Sequence, residues 1–206
     1  LGLKYLRASV LGSKRLDWTV KGSVEGGVTG DDGTLGTNDT APGVAIGKRT
    51  AEFITLKPAA EARWRVLPNG SFGVAVTGQY TEDQLPEQQQ WVLGGMGALA
   101  AYLPGILVGD TGYYGKADFE YVWKLNGFEL TSSIFGEHGT AKFEDASGPD
   151  AAERAISDVG VRFKAKFGKT FELQAVTAES LSDKNIDQSV IDRTEADFFV
   201  LGKAVF

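Results

Sequence analysis

No cysteine occurs among the 206 residues, and there is one methionine and one histidine. That excludes disulfides and thiol catalysis, and it leaves a metal site little beyond carboxylates. Positive charge is also scarce. The chain carries 21 Lys and Arg against 27 Asp and Glu, for a net charge of -6 and a pI near 4.9. A general nucleic-acid-binding role is therefore not expected. No Lys or Arg lies between Arg65 and Lys116. A long apolar helix is missing too. Residues 91–109 are uncharged and long enough to span a membrane as a helix. They contain Gly94, Gly95, Gly97, Pro104, Gly105 and Gly109, however, and no flanking cation anchors them. The chain opens Leu1-Gly2-Leu3-Lys4-Tyr5, neither an initiator methionine nor a leader segment, and reads as processed, truncated or a fragment.

What is present in quantity is glycine, with 27 residues, and aromatics, with 12 Phe, six Tyr and four Trp. These suit many short turns and a strand-rich fold with aromatic girdles. Hydrophobic residues are 42% and charged residues 23% of the chain. A helical membrane protein would not show that balance, but a β-barrel with a polar interior would.

The main signal is alternation. In residues 113–124, Gly115, Ala117, Phe119, Tyr121 and Trp123 share one face, while Lys116, Asp118, Glu120 and Lys124 take the other. In residues 158–167, Val159, Val161, Phe163, Ala165 and Phe167 oppose Arg162, Lys164 and Lys166. No amphipathic helix produces that pattern. Similar alternation runs through residues 16–25, 61–66, 72–80, 128–137, 171–175 and 195–206. With weaker segments at 3–11 and 90–95, about ten strands are expected, each near the ~9–11 residues that a tilted membrane strand needs.

Short turns are expected at Gly12-Ser13-Lys14, Pro68-Asn69-Gly70, Leu125-Asn126-Gly127 and Gly168-Lys169. Long polar loops occupy residues 26–49, 141–153 and 182–193. Short turns on one side and long loops on the other make an all-β antiparallel transmembrane barrel, with the short side periplasmic. The alternative is a soluble sandwich or lipocalin-like barrel, whose apolar face would point inward. Aromatics near strand ends, charges on nearly every opposite face and a terminal phenylalanine favour the membrane. One domain over residues 1–206 is expected.

Trp91-Val92-Leu93-Gly94-Gly95, then Gly97-Ala98-Leu99-Ala100-Ala101-Tyr102, then Gly109-Asp110-Thr111-Gly112-Tyr113 and Phe119-Glu120-Tyr121 follow one another in this order. This order resembles that of the two-partner secretion transporters, the outer-membrane exporters of haemolysins and filamentous adhesins. Phe135-Gly136-Glu137-His138-Gly139 is similar to that family's Phe-x-Asp-x-Gly motif. The likeness is best over residues 91–206 and points to the C-terminal part of a sixteen-stranded barrel, or to a smaller barrel that closes by itself.

The resemblance implies an inward-folding loop over about residues 96–112. Leu99, Ala100, Ala101 and Tyr102 would be its tip, Asp110 and Gly112 its return, and Phe135, Glu137 and Gly139 its docking place on the wall. The position of the family's loop arginine is Ala100, so its buried ion pair cannot form here. Arg162 or Lys164 is the expected substitute partner of Glu137. The implied activity is passage of an unfolded exoprotein through the pore, without catalysis or cofactor. Its implied partners are the secreted exoprotein, outer-membrane lipid and, during biogenesis, the barrel-assembly machinery. Rival readings are a barrel-assembly relative, or a self-contained ten-stranded channel, adhesin or protease.

Other chemistry-bearing residues have plainer explanations. His138 beside Glu137 resembles a His-acid pair, yet alternation sends the two to opposite faces. Asp31, Asp32 and Asp39 lack the positional order of a calcium loop. Gly94-Gly95-x-Gly97 lacks the strand-turn-helix setting of a phosphate loop.

Overall fold

The computed structural model describes residues 2–11, 14–28, 52–144, 146, 152–168 and 170–204. Outside them lie the turn at Gly12-Ser13, nearly all of the loop with Asp31, Asp32 and Asp39, part of the 141–153 loop, Lys169 and the terminal Phe206.

The chain runs through β1 (Gly2–Leu11), β2 (Lys14–Gly27), β3 (Phe53–Arg65), β4 (Gly70–Gln79), β5 (Trp91–Leu93) and β6 (Leu107–Gly109). It continues through β7 (Gly112–Leu125), β8 (Phe128–Ala141), β9 (Arg154–Phe167), β10 (Phe171–Lys184), helix α1 (Gln188–Thr194) and β11 (Phe198–Ala204). Nine strands form one antiparallel sheet in the order β1-β2-β3-β4-β7-β8-β9-β10-β11. Short and long connections alternate along it, as the turn residues predict.

One expected strand is not in this sheet. The weak segment at 90–95 becomes β5, which pairs only with β6, Trp91 opposite Gly109 and Leu93 opposite Leu107. Gly94 and Gly95, at φ of 128° and 87°, turn the chain immediately afterwards. A Cβ at Gly94 would stand 2.3 Å from the Leu103 carbonyl oxygen, so the close turn needs glycine. No helix forms between residues 91 and 109.

Register places the alternating residues on two faces. Val20, Ile54, Val74, Val76, Trp123, Ile134, Phe163, Leu173 and Val200 lie on one, and all are exposed. The core lies on the other, polar face. There the β4–β7 connection packs Leu93, Leu99, Ala100, Ala101, Tyr102, Ile106 and Leu107 against Tyr114, Phe135, Ile156, Val176 and Ala178 of the sheet. This arrangement reverses that of a soluble sandwich, which would bury the apolar face.

Candidate functional site

Within the β4–β7 connection the chain makes a tight tip. Leu99 sits in the left-handed region at φ 58°, and Tyr102 N donates to the Leu99 carbonyl at 3.1 Å. This conformation costs a leucine about 1 kcal/mol. It also belongs to a turn in which successive backbone N–H groups face anions. Ala100 N–H donates to Glu137 Oε2 at 3.0 Å, and Ala101 N–H to Asp158 Oδ2 at 2.9 Å. Glu137 and Asp158 are register partners on β8 and β9, so the two carboxylates stand side by side beneath the tip. Hydrogen bonds to charged groups contribute roughly 1.5–3 kcal/mol each. Two of them outweigh the strain at Leu99.

The remaining Glu137 oxygen accepts from the Tyr114 hydroxyl at 2.7 Å and lies 3.5 Å from Lys116 Nζ. The Glu137 side chain is fully buried. Its charged partner is therefore Lys116, not Arg162 or Lys164. Arg162 instead donates to the Met96 carbonyl at 3.1 Å and lies 5.0 Å from the Phe135 ring centre, as does Lys116. Lys164 takes no part. It pairs with Thr131 and Gln174, roughly 20 Å along the strands from Glu137 at about 3.3 Å per residue.

Glycines make the wall accessible to the tip. A Cβ at Gly139 would stand 2.5 Å from Leu93 Cδ1 and 3.1 Å from Leu99 Cδ1. One at Gly160 would stand 2.6 Å from Phe135 Cζ, where the aromatic ring lies across the neighbouring strand. At the return, the buried Asp110 carboxylate accepts from Leu85 N at 3.1 Å and Glu144 N at 3.0 Å, tying the two ends of the β4–β7 connection to the β8–β9 connection. Gly112 lies under the Trp91 indole, whose Nε1 donates to the Thr140 carbonyl at 3.0 Å.

The β10–β11 connection closes over the tip. Leu103 N donates to Thr194 O at 2.7 Å, Ala196 N donates to Ala101 O at 2.8 Å, and Tyr102 bridges Glu195 in antiparallel fashion. The fully buried Tyr102 donates its hydroxyl to Ser180 on β10, and Ile191 of α1 joins the core. His138 faces away from Glu137, between the Tyr113 hydroxyl at 3.3 Å and Ser157 Oγ at 2.8 Å.

All the expected tip, return and docking residues except Lys164 thus meet in one assembly. Sequence reasoning missed Asp158, Tyr114, Lys116 as ion partner, and the 194–196 segment. Asp158 did carry a signal, as an acid on the face shared with Arg162. Its adjacency to Glu137 depends on a register that the sequence does not display.

No protein-family model matches the sequence, and no curated protein matches it by sequence. Comparison of structures is more informative. The chain shares its fold with CdiB from Escherichia coli, at a TM-score of 0.70 and 11% identity over 99% of this chain. The antiparallel β-barrel class expected from the alternation is thereby shown. The matched region is 36% of the CdiB chain, so this chain spans about a third of that protein.

Proposed function

We propose that this chain forms part of the wall of an outer-membrane transporter that passes an unfolded exoprotein through its lumen by two-partner secretion. The observation that carries the reading is the double docking of a strained loop tip by Ala100 and Ala101 amides on buried Glu137 and Asp158, on the polar side of a sheet whose apolar side is exposed. CdiB, whose fold it shares, is a two-partner secretion transporter.

In this reading residues 1–206 are one barrel region, the polar face lines the lumen and residues 96–112 are its in-folded loop. Leu99 to Tyr102 form the tip, Asp110 and Gly112 the return, and Phe135, Glu137, Gly139 and Arg162 the docking wall, joined by Asp158, Tyr114 and Lys116. The apolar face meets lipid. From Phe128 and Phe167 to Gly136 and Val159 that face rises roughly 26 Å along the strands, or about 20 Å of membrane at the usual tilt. At one end Phe128 stacks on Phe167 at 5.3 Å between ring centres and Phe171 lies tilted against Phe167 at 5.8 Å, as in an interfacial girdle. At the other the face turns polar at Tyr113, His138 and Ser157. The partners are a haemolysin- or adhesin-like secreted protein, membrane lipid and, during insertion, the barrel-assembly machinery. The chemistry is conduction, with no covalent step and no cofactor.

The test uses the native polypeptide, extracted in detergent and inserted into planar bilayers. Glu137→Ala combined with Asp158→Ala should free the tip, raise open-state conductance events and expose residues 96–105 to protease. The docked population should fall by a factor of order 100 or more. Unchanged conductance together with an uncut loop would overturn the docking role. Failure of the wild-type protein to conduct or to support export of a co-expressed exoprotein would overturn the transport reading itself.

A further inference from the structure

We infer that Arg63 sets the charge selectivity of the part of the lumen that the docked loop leaves open. The inference rests on reading the polar face as a pore lining, and it names a determinant away from the docking site.

The docked loop covers the end of the polar face of β8, β9 and β10 that carries Glu137, Asp158 and Val176. Beside it, a cleft of about 140 Å³ opens between Tyr114 and the small residues Thr19, Ala59, Ala75 and Thr77 of β2 to β4. Three pairs on this open wall match one cation to one acid, while Arg65, on the same face of β3 as Arg63, stands outside them. Arg15 meets Asp17 at 2.7 Å, Lys57 meets Glu25 at 2.6 Å and Lys21 meets Glu61 at 3.7 Å, one cation to each acid.

Arg63 is different, because one guanidinium serves two carboxylates. Its Nη2 donates to both Asp118 oxygens at 3.0 Å, and its Nη1 donates to Glu120 Oε2 at 2.8 Å and Ser71 Oγ at 3.2 Å. The side chain reaches from β3 to β7 across the whole width of β4. It can do so because the intervening position is Gly73, where a Cβ would stand 2.5 Å from Arg63 Nη2. Lys116, the next cation on the β7 face, is turned toward Glu137. The Arg63 head remains accessible, at 41% exposure, so solvent and a passing chain meet it directly.

Removing Arg63 would take the Asp118–Glu120 cluster from one net negative charge to two in a confined aqueous path, whereas removing Lys21, Lys57 or Arg15 would take a neutral pair to one. Charged groups lining a confined pore enrich ions of opposite sign. The same imbalance would retain lysine- and arginine-rich segments of an extended polypeptide as they pass. With Arg63 present, that cluster keeps one net negative charge, and the register sets Arg65 across Ser71 from Glu120.

Reversal potentials of the native polypeptide in planar bilayers under a KCl gradient test this. Arg63→Gln should raise the potassium-to-chloride permeability ratio about twofold or more, and Arg63→Lys should stay near wild type. Should Arg63→Gln fail to insert, Asp118→Asn with Glu120→Gln should shift the ratio toward chloride. Wild-type ratios in Arg63→Gln, or in the double variant if that is the one that inserts, would overturn the role of Arg63 and leave the export reading standing. Absence of any wild-type channel would instead remove the export reading on which the inference rests.

Discussion

The two halves of the polar face are built from the same alternating pattern and do different things. On β2 to β4 that face carries Lys21, Glu25, Lys57, Glu61 and Arg63, paired with acids and bases and partly exposed. On β8 to β10 it carries Phe135, Glu137, Ile156, Asp158 and Val176, all buried by the loop. Exposed ion pairs contribute about 0–1 kcal/mol and rearrange at little cost. Buried carboxylates holding backbone amides do not. The comparison separates a wall of exposed, exchangeable ion pairs from a wall on which buried carboxylates hold a loop.

The largest break in this comparison should come from Ala101→Pro, which deletes the N–H that meets Asp158 without altering either carboxylate. A loss of about 3 kcal/mol or more in loop docking is expected, read as faster proteolysis within residues 96–105. Wild-type resistance would show that side-chain packing alone holds the tip.

A glycine exchange sharpens the contrast at smaller scale. Gly112→Ala would place a Cβ 2.3 Å from the Thr140 carbonyl oxygen and 2.4 Å from Trp91 Cδ1. It should cost about 1–3 kcal/mol and red-shift Trp91 emission as the indole leaves its site. Gly22→Ala, with nothing within 4 Å, should leave stability unchanged. Equal effects of the two substitutions would contradict the difference between the packed polar-face site at Gly112 and the open apolar face at Gly22.

The smallest effect concerns acid pH. Asp187 caps helix α1, and hydrogen bonds from Ser189 hold its carboxyl below the usual aspartate value. The folded-state pKa is depressed, so the stabilisation is present above the unfolded value of about 3.9 and is lost as pH falls through the lower folded value. The protection of the Val190 and Ile191 amides, relative to their intrinsic exchange rates, should therefore fall below about pH 4, and Asp187→Asn should remove that dependence. An identical profile in Asp187→Asn would refute the cap as its source.

Much of the wall was legible before any coordinates. A period of two assigns side chains to faces because strands alternate, and the glycine-rich turns mark their ends. The order of residues 91–139 marks residues that the structure brings together, Leu99 and Ala100 with Glu137 and Gly139. The segment at 90–95 was misread as a wall strand because three β-favouring residues look alike in either sheet.

What the sequence alone determined is therefore local: which residues make strands, which side chains share a face, and that Ala100 offers no cation to Glu137. The tertiary structure decided what each face meets. Glu137 lies beside Asp158 through strand register, a left-handed Leu99 aims two amides at them, and Lys116 rather than Arg162 supplies the charge. Those outcomes depend on distances between residues far apart in the chain, which alternation does not encode. Backbone N–H groups are common to every residue except proline, so a site built from them leaves no mark in side-chain composition.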